Sequence, residues 1–401
     1  MVQLVGNVIN PDDDALWLMG SDVEWVRGDY VQAFQHPGLL AQDNPWLVPN
    51  RLFAETMIRA NKEAVTAILG SLISWRVCTA DQLQAGLAVA PIPEFDRYEP
   101  NIYGALCRLG AINVGFNPRE RFEHITIPHV WLSVGYKKKL VAQTLKTFNG
   151  DQWLRDMLAN GKLTSVHIHA RHNTYAAHVG LALTQHSNVQ LTGGDGWGAL
   201  ADIDAQAVAE SGIDKNCSTD LVSLLDNNVL TCVEVQSSTM NMEKKMKNWS
   251  RMLAYSPMQR RGLLCVWLFI RNQKDHKYPG ITPILERASL FDEMMVGTPT
   301  VAQRTGYAYW DEWFNSDGTR TEHFGEYMDL TQNKRSIFDP HWNSYTPHTQ
   351  PLHVLNDWGW QVMRDTIRRE WGWDVSTWTL PDAYRGGFYG FTGLQADKEV
   401  V

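Results

Sequence analysis

Cysteine is sparse and poorly spaced for either of its usual structural uses. The five thiols (Cys78, Cys107, Cys217, Cys232 and Cys265) are odd in number and widely separated, and no CxxC pair occurs. That argues against a disulfide framework and against a zinc knuckle. Cys232 and Cys265 fall inside apolar, strand-like runs and read as buried thiols. No run of the ~18 apolar residues needed to cross a membrane is present. The opening MVQLVGNVINPDDDALW has neither the basic nor the apolar region of a secretory leader, so a cytoplasmic protein is expected. Basic charge is also short: 36 Lys and Arg stand against 44 Asp and Glu, a net charge of −8. Bulk attraction to nucleic acid is thereby excluded, and any such contact must come from local basic patches.

What is present centres on residues 218–255, STDLVSLLDNNVLTCVEVQSSTMNMEKKMKNWSRMLAY. A short apolar segment follows Asp220, a turn is expected at Asp226-Asn227-Asn228, and an apolar β-branched run from Val229 to Gln236 completes a β-hairpin. Ser237, Ser238 and Thr239 offer N-cap oxygens for a helix that has Glu243 near its positive end. Met242, Met246, Trp249 and Leu253, spaced 4, 3 and 4, make its apolar face. Asp220 and Glu234 would then stand on neighbouring strands. Two such carboxylates are suited to Mg²⁺, with Mn²⁺ as a substitute, a hard cation that keeps several waters and activates one toward a phosphate. The alternative is an amphipathic hairpin and helix whose Asp and Glu merely face solvent.

The segments before this stretch follow a different order. Residues 1–50 read as an irregular arm. A helix is expected from Leu52 to Trp75, and a second from Ala80 to Ala88 behind the capping box Thr79-Ala-Asp-Gln82. A third runs from Pro100 to Leu109 and ends at Gly110. Two β-like runs, Ile112–Phe116 and Ile125–Val134, flank a charged loop. Three helices and a two-stranded wing are the order of a winged-helix domain, which commonly lays its third helix in the major groove. Arg97, Arg108, Arg119, Arg121, Lys137, Lys138 and Lys139 are the candidate phosphate contacts. DNA contact, protein docking and dimerisation all remain open for this module.

Farther on, Phe148–Leu158 reads as a linker helix. His167, His169, His172 and His178 lack the companion ligands of a zinc site and read as hydrogen-bonded structural residues. Gly193-Gly194-Asp195-Gly196-Trp197-Gly198 is weak as a phosphate loop. Gly262–Ile270 has the composition of a strand buried on both faces, and Thr282–Met295 reads as a helix. Gly306–Phe314 and Thr319–Leu330 suggest an aromatic hairpin about Asp317-Gly318. Beyond Pro340 lies a tryptophan-rich tail with one basic helix, Gln361–Glu370, read as a packing or interface element or, through its aromatics with Arg364, Arg368 and Arg369, as a surface that stacks on single-stranded DNA.

The arrangement of Asp220, hairpin, Glu234-x-Gln236 and helix resembles the PD-(D/E)xK nuclease core. Thr219 replaces the usual Pro, and Gln236 replaces the usual Lys. Lys244, Lys245 or Lys247 on the following helix could supply the missing cation, as happens in some members of that fold. Over residues 55–275 the chain also resembles the replication-relaxation family of plasmids and integrative elements. The features that carry this are Arg108-Leu109-Gly110-Ala111-Ile112, Val130-Trp131-Leu132-Ser133-Val134-Gly135 and His172 heading a helix that ends Gly180-Leu181-Ala182-Leu183. Asp220-Leu221-Val222, Val233-Glu234-Val235 and Lys245-Met246 before Trp249 continue the series.

With the arm and the tail read from the residues, the expectation is an α/β protein in four parts: an arm (1–50), a winged-helix domain (51–145), a restriction-endonuclease-like core with a mixed sheet (146–300) and an aromatic-hairpin and Trp-rich extension (301–401). The resemblance covers the two middle parts. It implies a DNA-binding accessory protein of a mobile element, with the replication or mobilisation machinery as protein partners. As a metal-dependent nickase it would use Asp220 and Glu234 for Mg²⁺, Gln236 to orient water, and Lys244 or Lys245 for phosphate charge. A non-catalytic scaffold and a dimeric winged-helix transcription regulator are the competing readings.

Overall fold

The computed structural model describes residues 8–17, 23–87, 92–118, 129–146, 169–198, 200, 205–214, 217–227, 229–255, 262–272, 274–280, 290, 301–340 and 342. It is an α/β structure with one antiparallel and one mixed sheet. The expected helices 148–158 and 282–295, the greater part of the wing loop, His167 and the tail beyond Pro340 (Trp342 excepted) lie outside the described residues.

The first sheet has the order β1-β3-β4-β2, with β1 at Glu24–Val26, β2 at Val77–Thr79, β3 at Ile112–Phe116 and β4 at Val130–Val134. All its pairings are antiparallel. The arm is more regular than expected. It contributes β1, α1 (Gly28–Ala33) and α2 (Pro37–Asp43), and β1 closes one edge of the sheet by pairing Glu24 with Phe116 and Val26 with Val114.

The helix expected over 52–75 is two helices, α3 (Arg51–Ala60) and α4 (Lys62–Trp75), which meet at Asn61. The apolar pattern runs through this point. However, the Asn61 side chain donates to the Met57 carbonyl at 2.9 Å, a local bond that competes with helix propagation. The Thr79–Gln82 capping box forms in full at the head of α5 (Ala80–Gln82). Next comes α6 (Ile102–Arg108), capped by Asn101, whose Oδ1 accepts from Tyr103 and Gly104 at 3.1 and 3.0 Å. Pro100 therefore precedes the helix instead of starting it. α7 (Lys138–Lys146) follows the sheet.

The second sheet has seven strands in the order β11-β10-β9-β8-β7-β6-β5. After α8 (Ala170–Thr184) come β5 (Val189–Gly194), a 3-10 turn at Asp195–Trp197, α9 (Ala205–Ser211), β6 (Leu221–Leu225) and β7 (Leu230–Gln236). These three strands form an antiparallel meander. A crossover helix, α10 (Met242–Ala254), leads to β8 (Leu263–Phe269), which runs parallel to β7. β9 (Thr305–Tyr309) is parallel to β8, and β10 (Glu326–Asp329) and β11 (Lys334–Ser336) add on antiparallel. Strand β8 is buried at every position, as expected for a strand with parallel neighbours and helices over both faces.

Between β9 and β10 the expected long hairpin is interrupted by the one-turn helix α11 (Trp310–Trp313). The Asp317-Gly318 turn does form, with Gly318 at φ 80°. It closes a small loop bridged at Phe314 and Arg320, so the two strands pair only near Tyr307–Met328.

Side-chain alternation divides the second sheet between two helices. Leu221, Val233, Val235, Val266 and Leu268 share one core with Tyr175 and Leu181 of α8, and this core continues into Ile58, Leu106 and Leu132 of the first sheet's module. Val222, Cys232, Cys265, Trp267 and Phe269 share a second core with Met242, Met246, Trp249 and Leu253 of α10. The predicted apolar face of α10 is therefore the buried one. Where α8 crosses α4, Gly180 lies so close to the Trp75 ring that a Cβ there would sit 2.0 Å from it; only glycine allows that approach. α8 thus joins the two sheets into a continuous interior.

Candidate functional site

The pairing of Leu221 with Val233 sets Asp220 beside Glu234 where β6 begins and β7 ends. Beyond the first residue of β6, the Val235 N–H has lost its ladder partner, and a buried backbone donor must find another. Asp220 Oδ2 accepts it at 2.7 Å. Thr219, in the place of the resembled proline, is fully buried, and its Oγ1 lies 3.0 Å from both the Val233 and Leu221 carbonyl oxygens. It fixes the strand end by hydrogen bonding where a proline would do so by ring geometry.

Five side chains converge on this corner. Glu234 has no exposed surface, yet both its oxygens are engaged: Oε2 accepts from Lys245 Nζ at 2.7 Å and Oε1 from the Trp249 indole N–H at 2.6 Å. Lys245 and Trp249 are one helical turn apart on α10, so one face of that helix delivers both donors. The same ammonium stands 4.0 Å from Asp220 Oδ1, so it lies between the two carboxylates. His172, in the first turn of α8, brings Nε2 to 3.1 Å from Asp220 Oδ1. Behind them, Asp195 is paired with Arg76. Arg76 ends α4 in a positive-φ conformation, φ 62° and ψ −54°, a strained backbone state for a residue with a side chain.

Electrostatics separate the two acids. Burial pushes the Glu234 carboxyl up to about 7; Lys245 opposes this and Asp220 adds to it. Asp220 is driven well below the usual carboxylate range: its burial is outweighed by Lys245, His172 and the Val235 N–H. Lys245 and His172 are both raised, since the neighbouring carboxylates outweigh the effect of burial. Neighbouring acids whose pKa values are pushed apart are a common mark of a working site.

The other sequence candidates fall unevenly. Gln236 lies one strand period beyond Glu234 on the same face and is buried. Lys244 does not join the site: it is exposed and pairs with Asp214 at 2.7 Å. One residue is about 100° of helix, which is why Lys245 faces inward and Lys244 outward. Of the lysine candidates, Lys245 is the one that meets the two carboxylates.

Arg108 is corrected outright. It is 4 % exposed and donates to the carbonyls of Val48 at 3.1 Å, Val31 at 2.9 Å and Pro37 at 3.3 Å, so it is an internal strut and no phosphate contact. All seven residues of α6 are buried, covered by α3, α1 and the Trp46 backbone; α6 therefore cannot enter a groove in this conformation. Arg97 is half-buried, 5.5 Å above the Phe116 ring. Lys137 is exposed, 3.8 Å from Asp29, and Lys139 is exposed on α7. Arg119, Arg121 and the side chain of Lys138 lie outside the described residues.

His178 is a buried structural histidine whose Nε2 contacts the Gly318 carbonyl at 2.8 Å. The roles of His172, Trp249, Asp195 and Arg76 escaped the sequence reading. The four-residue step from Lys245 to Trp249 could have flagged the indole; nothing local marks the other three.

The donors present suit a hard cation. Among the described residues no three His, Cys, Asp or Glu side chains cluster to hold a metal by themselves. Mg²⁺ needs only one or two carboxylates when waters and substrate phosphates complete its shell, and the Lys245 ammonium already marks a point between two carboxylates where positive charge is stable. No family model, no curated protein and no solved structure matches this chain.

Proposed function

We propose that this chain is a DNA-binding accessory protein of a mobile element whose mixed-sheet half is a nuclease-type core that nicks DNA. The observation that carries the reading is the convergence of Asp220, Glu234 and Lys245 at one strand end. The frame around them supports it: helix α8, meander β5–β7, crossover α10 and parallel strand β8 follow the element order of the PD-(D/E)xK core. In the other half, the order α4, β2, α5, α6, β3, β4 resembles that of a winged helix, which in this reading is a docking body with its third helix covered. Exposed Lys137 and Lys139 would lie against DNA.

In this reading Asp220 and Glu234 hold Mg²⁺ or Mn²⁺, which when bound supplies a low-pKa water and neutralises phosphate charge. Asp220, ionised and partly exposed, is the oxygen donor on the solvent side. Lys245 shifts from the carboxylates toward the phosphate and stabilises the charge that grows there. Gln236 orients the attacking water, and His172 holds Asp220 in place. A non-catalytic scaffold is the second reading, favoured by the Lys245 bridge itself: a closed ion pair can be purely structural.

Nicking of supercoiled plasmid with Mg²⁺ or Mn²⁺ tests the choice. The wild type is expected to nick, and Asp220→Ala, Glu234→Ala and Lys245→Ala to lose the activity while still binding DNA. Cleavage that survives in the first two variants, or is absent from the wild type on several substrates, rejects the nuclease reading and leaves the scaffold.

A further inference from the structure

Strand register links the site to a cavity that none of the foregoing uses. Glu234 pairs with Trp267, Trp267 with Tyr307, Tyr307 with Met328 and Met328 with Lys334. A second row on the same face runs from Gln236 through Phe269 to Tyr309. Residues directly opposite across a ladder share a face, and strands are ~4.8 Å apart, so Tyr309 stands two strands, roughly 10 Å, from Gln236. Both residues lie at the carboxyl ends of parallel strands, the edge where α/β sheets commonly bind ligands.

The cavity is about 230 Å³ and is lined by Tyr307, Tyr309, Glu312, Glu326, Met328 and Lys334, among others. Its aromatic wall is pre-arranged: Tyr309 packs against Tyr278 at 4.9 Å and Tyr307 at 6.2 Å, with interplanar angles of 60° and 74°. Its rim is polar and fixed. Glu312 accepts the Tyr309 N–H at 2.8 Å, and Glu326 is paired with Lys334 at 2.5 Å. This volume falls below the ~300 Å³ at which pockets for drug-sized ligands begin, so it suits a single ring system. Lys334 and His323 at the rim are both taken up by Glu326, and Glu312 adds a second carboxylate, so among the described residues no unpaired cation awaits a phosphate inside. Tyrosine faces with fixed acceptors and a lysine donor suit a planar group that carries polar atoms on its edge.

We infer that this tyrosine pocket receives one unpaired nucleobase of single-stranded DNA while the phosphates run outside it. The inference rests on the nuclease reading and deepens it, since it makes the substrate of the Asp220–Glu234 site a strand with an unstacked base. At ~3.4 Å per stacked nucleotide, the separation corresponds to about three nucleotides. Base–aromatic stacking tolerates every base, so the pocket would fix position along the strand rather than sequence.

The test uses the full chain, in EDTA, with single-stranded oligonucleotides that carry 2-aminopurine or an abasic site at successive positions. On the wild type, one register should show strong quenching of 2-aminopurine, and an abasic site there should weaken binding about tenfold. Tyr309→Leu should bind the intact strand about tenfold more weakly and be indifferent to the abasic site; Tyr309→Phe should behave as wild type. Binding insensitive to abasic position, a Tyr309→Leu variant that binds as wild type, or no binding of single strands at all overturns the pocket assignment. The abasic series on the wild type decides the matter even if Tyr309→Leu fails to fold. Plasmid nicking by wild type and Asp220→Ala is read separately. Nicking that needs Asp220 without base-dependent binding removes the pocket and keeps the nuclease; base-dependent binding without nicking does the reverse.

Discussion

Two fully buried carboxylates sit in the same sheet and are neutralised in different ways. Asp329, at the end of β10, is saturated from its own turn: Oδ1 accepts the Thr331 and Asn333 N–H groups at 2.8 and 2.9 Å and the Thr331 hydroxyl at 2.7 Å, and Oδ2 pairs with Arg335 at 2.5 Å. Every partner lies within six residues, so the acid is part of a local staple. Glu234 has two donors, 11 and 15 residues away on another element. One of them is a lysine whose side chain remains 32 % exposed. A carboxylate tied to backbone amides cannot change partners without unfolding its turn. One tied to a partly exposed lysine can exchange it for another cation.

Four experiments can break or sharpen that contrast. The largest effect is expected from Asp329→Ala, which strands Arg335 and opens the 329–333 turn. Breaking a buried pair from one side costs about 3–5 kcal/mol, measurable by urea unfolding; a loss below ~1 kcal/mol would mean that the staple is not what holds β10 to β11.

Second comes the pH dependence of Glu234. Its carboxyl is raised in the folded state to about 7 from its ordinary value of 4.5, so between these values folding takes up a proton. Its contribution is fully present below about pH 4.5 and is lost as pH rises through 7, a change of about 3 kcal/mol at 1.36 kcal/mol per unit. Asp220, depressed in the fold, works in the opposite sense, contributing stability above its unfolded pKa and losing it in acid. The stability difference between wild type and Glu234→Gln, followed from pH 5 to 8, isolates the first; a flat difference would show that Glu234 stays charged throughout.

Trp249→Phe is expected to cost about 1–3 kcal/mol by leaving Glu234 Oε1 without its indole donor. The loss should be larger at pH 8 than at pH 5, where Glu234 is protonated; an equal loss at both pH values would assign the effect to packing alone. The smallest effect belongs to Lys244→Ala. Next to Lys245→Ala, which should abolish nicking, it should leave both melting temperature and nicking unchanged. Equal losses in the two would mean that the lysines share one role.

Local pattern carried far into the fold. The 4-3-4 spacing of Met242, Met246, Trp249 and Leu253 identified the buried face of α10. Thr79 and Gln82 marked a cap that forms as written, and the unbroken apolar run from Gly262 gave the central strand. Each of these depends on neighbours within one or two turns. The expectations that failed depended on what lay across space. Arg108 has the chemistry of a phosphate contact, but three carbonyls from the arm and from α2 and its flanks enclose it. The N-cap of α10 fell to Asn241, at φ 59°, instead of the hydroxyls before it. The long hairpin gave way to α11, whose Trp310 and Trp313 bury in the core.

The sequence by itself determined the hairpin that brings Asp220 and Glu234 together, the helix after it with its apolar face, and the central buried strand, because periodicity and turn chemistry act over a few residues. Only the tertiary structure decided which lysine stands between those acids, that a histidine from α8 and an indole from α10 complete the corner, and that the third helix is closed. Those outcomes depend on helix rotation and on contacts between residues 11 to 77 apart in the chain, from Lys245–Glu234 to Arg108–Val31, and a rotation of 100° per residue leaves Lys244 in solvent and Lys245 against Glu234.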